Sequence, residues 1–193
     1  PCSPYACAKV MARNLIDVYR NSYRIFACSG WLFNHESYRR SEQFVTRKIT
    51  KWFGQNYNSL LYNLPFDKIK LGNVLSGRDW GHAKDSVLAM WLMLQNNQPK
   101  DYVVSTGESY TIYEFIELCI DILNLNINPD SLFKVDESLI RPNELRRLKG
   151  DSSLIRKELG WKPKYSFMDL VTEMLHYDLK GKVNLEPKVV EYV

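Results

Sequence analysis

The chain has 193 residues, of which 45 % are hydrophobic and 25 % charged, with a formal net charge of +4. That is ordinary globular composition, long enough for one domain with a sizeable core. The basic residues are dispersed, which argues against a nucleic-acid binder and leaves room for a small anionic ligand. No apolar run reaches the roughly 18 residues a membrane helix needs, and no secretory leader is visible. Cys2, Cys7, Cys28 and Cys119 have neither metal-ligand nor disulfide-framework spacing, so free thiols and a cytoplasmic location are expected.

Ser3-Pro4 is a good helix start, a hydroxyl cap followed by proline in the first turn, and the helix is expected to run to about Tyr19. Residues 24–33 are apolar and dense in β-formers, which predicts a buried strand. Residues 34–41 read as a polar loop, 41–53 as an amphipathic helix, and 54–65, with Asn, Gly and Pro signals, as another loop. A short strand is expected over 68–74. The run Val87, Leu88, Met90, Trp91, Leu92, Leu94 predicts a well-buried helix over about 85–95, and Trp80, Trp91, Met90 and Met93 are expected in the core.

A further strand is expected over 101–105. Thr111-Ile112-Tyr113-Glu114 fits a capping box opening a helix to about Leu123. Residues 124–144 read as loop-rich. Asp151 is expected to cap a short helix that stops at Gly160, and Ser166 to cap the last helix, ending near Gly181. Residues past Lys182 read as a loose tail. Strands alternating with helices predict an α/β fold.

The chemistry starts at Tyr5 and Lys9, four residues apart and so on one helix face. A tyrosine is a poor base at neutral pH because its phenol keeps its proton. An ammonium held beside it favours the phenolate: two unit charges about 4 Å apart interact by roughly 4 kcal/mol at an effective dielectric near 20. Such a pair suits removal of a proton from a sugar hydroxyl. On residue type alone, a solvated tyrosine and lysine fit the same pattern. Arg39 and Arg40 form a double guanidinium suited to phosphate, or simply a solvated pair. Lys48, Arg78 and Arg141 could converge on a diphosphate. They fit equally a helix surface, an ion pair of Arg78 with Asp79, and a solvated loop. His82, between Trp80 and a buried helix, is expected to be a hydrogen-bonded structural residue; His176 has no partner at a meaningful spacing. No Gly-x-Gly-x-x-Gly loop occurs, which any dinucleotide-binding reading must accommodate.

These motifs carry a resemblance. Ser3-Pro4-Tyr5 through Lys9 resembles the catalytic helix of extended short-chain dehydrogenase/reductases. Phe33-Asn34-His35-Glu36-Ser37 with Arg39-Arg40, residues 44–49, residues 78–85 and residues 89–95 are similar to GDP-mannose 4,6-dehydratases. So are Thr106-Gly107-Glu108, Arg141-Pro142 with Glu144, and Leu159-Gly160-Trp161-Lys162-Pro163. The match is collinear over about residues 3–178.

The resemblance implies the C-terminal part of a Rossmann-like fold with a smaller substrate-binding α/β region. Residues 1–33 and about 78–110 would belong to the NADP-binding domain, about 34–77 and 111–182 mainly to the GDP-sugar region, and 183–193 to a tail. It implies an NADP-dependent hydro-lyase acting on GDP-mannose as a homo-oligomer. Tyr5 and Lys9 would be catalytic and touch the cofactor, with His35 and Arg40 as further cofactor residues at a subunit contact. Asn34, Lys48, Arg78, Arg141 and Glu144 would hold the substrate. The chain departs from the family in lacking the upstream glycine-rich loop and the Thr and Glu that work with the tyrosine. It also has Tyr38 where proline is usual and a longer segment over 54–65. This chain by itself is therefore expected to be inactive. A sugar-nucleotide epimerase or reductase of the same superfamily, and a non-catalytic GDP-sugar-binding module, remain alternatives.

Overall fold

The computed structural model describes residue 1, residues 3–140 and residues 145–191. Helix α1 (Pro4–Tyr23) starts as expected: Ser3 Oγ accepts from the Ala6 N–H at 3.1 Å, with proline in the first turn. It runs past Tyr19 and ends where Arg24 turns left-handed at φ 56°. No residue of α1 is buried. Its half-buried positions, Ala6, Arg13, Ile16, Asp17 and Arg20, recur at three-, four- and seven-residue steps and define one face.

The strand expected over 24–33 is shorter and more open than its composition suggests. Only β1 (Gly30–Leu32) forms a ladder, and Trp31 is exposed. β1 pairs in parallel with β6 (Tyr102–Val104), Gly30 opposite Tyr102 and Leu32 opposite Val104; the Phe33 N–H extends the ladder to the Val104 carbonyl. Among the described residues no second strand pairs with β1, which is why the run is not buried on both sides.

The expected polar loop over 34–41 begins instead as a strand, β2 (Asn34–Glu36). It pairs in parallel with β5 (Trp80–His82), His35 opposite Gly81 and Glu36 opposite His82. Alternation turns Glu36 inward, where it is buried. Helix α2 (Val45–Leu61) starts later than expected and runs through the segment read as a loop. Gly54 misled that reading. It sits mid-helix because a Cβ there would lie 2.4 Å from the Asp178 carbonyl oxygen of α6 (Phe167–Leu179). The two helices touch at that point without a side chain between them.

β3 (Ile69–Leu71) pairs in parallel with β8 (Phe133–Val135), and β4 (Gly77–Arg78) antiparallel with β7 (Tyr110–Thr111). Thr111 and Glu114 form the expected capping box of α4 (Ile112–Ile122), and Ser166 and Asp169 form one for α6. Helix α5 (Ser153–Leu159) stops at left-handed Gly160. Its cap residue is Ser152 rather than Asp151, although the Asp151 carboxylate accepts from the Ser153 N–H at 2.9 Å.

α2, α4 and α6 enclose the main core, around Phe53, Trp80, Phe115, Leu170, Met174 and Leu175. A smaller cluster joins Ala89, Met93, Tyr102, Val104, Ile155 and Trp161 beneath β1 and β6. Trp80 and Met93 are buried as expected, but Met90 and Trp91 are not. Helix α3 (Ala83–Leu94) buries Asp85, Ser86, Ala89 and Met93, and leaves Val87, Met90, Trp91 and Leu94 exposed. That is a complete i, i+3, i+4, i+7 apolar stripe facing outward. The tail is not loose throughout: Val183 and Leu185 pack on the main core, and Lys188 Nζ donates to the Lys164 carbonyl and to Asp169.

Candidate functional site

Tyr5 and Lys9 meet at the start of α1, with the Lys9 ammonium 5.4 Å from the centre of the Tyr5 ring. At 100° per residue they share the helix face of Arg13, Ile16 and Arg20. That face is the docked one. Arg13 and Arg20 both pair with Asp101, just before β6. Burial raises the Asp101 carboxyl, but the Arg20 guanidinium and the Ser29 N–H outweigh it and hold the group below the usual carboxylate range. Tyr5 itself is 72 % exposed, so water screens its coupling to Lys9 in this arrangement.

The chain returns along α1 after the Arg24 turn. Arg20 Nε donates to the Ala27 carbonyl at 2.8 Å, and the Ser29 N–H donates to Asp101 at 2.9 Å. Asn34 follows β1 after one residue, at the carboxyl ends of β1 and β6, where open α/β sheets bind their ligands.

His35 donates from Nδ1 to the Phe33 carbonyl at 2.9 Å; a carbonyl can only accept, so this contact puts the proton on Nδ1. Arg40 is drawn inward. Its Nε lies 3.1 Å from the buried Glu36 carboxylate and its guanidinium lies over the Phe44 ring at 3.4 Å. Thr46 Oγ1 donates to the same carboxylate at 2.9 Å. Burial raises the Glu36 carboxyl, and Arg40 and Thr46 offset it only in part. Tyr38 stacks on Tyr177 of α6 with ring centres 4.8 Å apart, and its carbonyl accepts from Arg47 Nε. Between this turn and α3 lies a groove of about 550 Å³ walled by Tyr38, Arg39, Lys84 and Trp91.

The β2–β5 pairing sets Asn34 opposite Trp80, two residues beyond Arg78. Arg78 Nη1 donates to the Gly77 and Leu145 carbonyls, each at 2.8 Å. Lys48 Nζ donates to the Lys70 carbonyl at 2.7 Å, at the edge of the β3–β8 pair. Arg141 and Glu144 lie outside the described residues. The structure thus brings Tyr5 to Lys9, and Asn34 to the strand that follows Arg78. No hydrogen bond or ion pair among the described residues joins Tyr5 or Lys9 to Asn34, His35, Arg40, Lys48 or Arg78.

His82 is structural, as expected. It is buried, with Nε2 2.6 Å from Glu173 and Nδ1 accepting from the Lys84 N–H. Burial raises the Glu173 carboxyl, yet His82 and Lys84 outweigh it and leave the group below its ordinary value. Four acids are buried in roles that the sequence reading did not foresee: Glu36, Asp79, Asp85 and Glu173. Asp79 does not mainly serve its neighbour Arg78; its carboxylate is taken up by backbone N–H groups of other segments. A lone acid between an arginine and a tryptophan carries no mark of that role. Among the described residues no cluster suits a metal ion, and no helix is long and apolar enough to cross a membrane.

A family model described as GDP-mannose 4,6 dehydratase matches residues 1–174. GDP-mannose 4,6 dehydratase 1 of Arabidopsis thaliana is 46 % identical over 93 % of this chain and 48 % of its own length. The Homo sapiens GDP-mannose 4,6 dehydratase is 40 % identical over 93 % of this chain and 51 % of its own. The chain thus spans about half the length of the curated relatives it matches. Among solved structures, RMD of Pseudomonas aeruginosa, complexed with NADPH, superposes with a TM-score of 0.78. It covers 95 % of this chain and 57 % of its own at 23 % identity. The dTDP-glucose 4,6-dehydratase of Bacillus anthracis, in complex with NAD, gives 0.76 over 94 % and 54 % at 20 % identity. These likenesses give the fold, a Rossmann-like α/β architecture. The tyrosine–lysine helix, the returning strand and a matched span that covers nearly the whole sequence lead to one assignment: the chain belongs to the GDP-mannose 4,6-dehydratase family.

Proposed function

We propose that the protein acts as an NADP-dependent GDP-mannose 4,6-dehydratase, a hydro-lyase that converts GDP-mannose to the 4-keto-6-deoxy sugar nucleotide. The observation that carries this reading is the position of Tyr5 and Lys9. They share the helix face whose Arg13 and Arg20 are tied to Asp101, just before β6. In this reading Tyr5 Oη takes the proton of the C4 hydroxyl as that carbon is oxidised. Lys9 holds the phenolate charge and reaches the cofactor ribose. NADP supplies the hydride acceptor when bound. The donor set suits it: an ammonium at Lys9, an imidazole at His35 with Nε2 left to meet a ligand, and a guanidinium at Arg40. Arg40 would have to share itself with Glu36 or turn away from it.

Asn34 is the substrate hydrogen-bonding residue in this reading, and Arg78 with Lys48 meets the diphosphate, alongside Arg141 and Glu144. The turn at 37–40 fits a contact between copies of the protein, so we extend the reading to a homo-oligomer. The test uses the intact protein. Tyr5→Phe should abolish formation of the 4-keto product from GDP-mannose while leaving the GDP dissociation constant within twofold. Unchanged turnover would end the assignment of Tyr5.

A further inference from the structure

Asp79 is fully buried in the short link between β4 and β5. Four donors converge on its two carboxylate oxygens. Oδ1 accepts from the Thr106 N–H at 2.9 Å and from Thr106 Oγ1 at 2.6 Å. Oδ2 accepts from the Gly107 N–H at 3.0 Å and the Gly150 N–H at 3.1 Å. One carboxylate therefore ties together three segments distant in sequence: the strand carrying Arg78, the loop leaving β6, and the segment ending at Gly150. Hydrogen bonds to an ionised acceptor are short and strong, and their loss in a buried setting is costly.

The third segment is the informative one. Residues 145–148 run beside β4. The Gly77 N–H donates to the Arg146 carbonyl at 2.7 Å, the Leu148 N–H donates to the Gly77 carbonyl at 3.0 Å, and Arg147 Nη2 donates to the Ser109 carbonyl. The Arg78 guanidinium bonds the Leu145 and Gly77 carbonyls on this same seam. Asp79 pins the seam at its far end, one residue away from Arg78 along the chain.

We infer that Asp79 is a positioning residue that sets the reach of Arg78 toward the diphosphate of a nucleotide ligand. It does so by locking residues 145–150 against β4. The inference rests on the proposed role of Arg78 and deepens it. Asp79 touches no ligand itself: every acceptor site it offers is turned to the protein.

A double-mutant cycle on the intact protein, read by GDP calorimetry, tests this. Arg78→Ala should raise the GDP dissociation constant about tenfold or more, and Asp79→Asn by a comparable factor. The double variant should be no worse than Arg78→Ala alone, because Asp79 acts through Arg78. Thr106→Val removes one donor and keeps the backbone bonds; it should weaken GDP severalfold in the parent and not at all in the Arg78→Ala background. That variant carries the test if Asp79→Asn does not fold. A purely structural Asp79 would lower thermal stability in both backgrounds and give losses of affinity that multiply, which overturns the inference. So does an Asp79→Asn protein that binds GDP normally while Arg78→Ala does not. If Arg78→Ala itself leaves GDP affinity unchanged, the reading of Arg78 fails at its root and takes this one with it.

Discussion

The two ends of the molecule solve the burial problem differently. Around α2, α4 and α6 the apolar side chains are turned into one core in which Phe115, Val171, Met174 and Leu175 have no exposure at all. Around α1, β1, β6 and α3 only a small cluster forms. α1 buries nothing, α3 shows water its Val87-Met90-Trp91-Leu94 stripe, and Val10, Met11, Leu15 and Val18 of α1 are likewise exposed. What holds α1 down is charge: Arg13 and Arg20 on Asp101. A few part-buried ion pairs on one carboxylate contribute far less than a large area of buried apolar surface, so the core around α2, α4 and α6 is the stable body. The helix carrying Tyr5 is the loosely held part.

The largest contrast concerns chemistry rather than stability. Lys9→Met in the intact protein should lower kcat by about two to four orders of magnitude, the range for loss of general acid–base function. Its melting temperature should stay close to the parent's, because neither Lys9 nor its neighbours are buried. A large drop in melting temperature would mean that α1 is not the loose element described. Next comes the core. Phe115→Ala should destabilise by about 3–5 kcal/mol in denaturant titration, and a loss below about 1 kcal/mol would undo the assignment of the stable body.

The charge anchor of α1 comes third. Asp101→Asn should cost about 2 kcal/mol near neutral pH, from the weakened bonds to Arg20, Arg13 and the Ser29 N–H. The folded carboxyl lies below its ordinary value, so its stabilisation is complete above about pH 4, the range in which the unfolded group titrates. It fades as the pH falls through the folded value. Parent and variant should therefore converge in acid; a constant difference would show that ionisation is not what anchors the helix. Ser166→Ala should cost about 1 kcal/mol through loss of the α6 cap. The smallest effect is expected for Leu15→Ala, within about 0.5 kcal/mol, and a loss like that of Phe115→Ala would erase the contrast between the two regions.

Much of this was readable before any coordinates. Ser3-Pro4, Thr111 with Glu114, Ser166 and Gly160 marked helix ends because each supplies a local backbone need that does not depend on distant contacts. His82 announced itself as structural through its apolar flanks. The failures share a cause in distant contacts. Asn34 to Glu36 looks like a loop until β5 pairs with it. Trp91 looks like core because composition cannot say which face of a helix finds a partner. Asp79 is silent because its four donors come from residues 106, 107 and 150. Tyr5 and Lys9 were visible by spacing alone, but the tie of their helix to β6 runs through Asp101, 88 and 81 residues from Arg13 and Arg20.

Gly54 shows how one letter can mislead in either direction. The hydrogen that stands where a methyl would be fixes how near α2 can come to α6, and Arg47 and Thr50 meet Asp178 at the same crossing. Even alanine, the best helix former, would wedge the pair apart. A saturation scan should therefore show position 54 rejecting every replacement, the profile usually taken as the mark of a tight bend, although the backbone there is straight helix.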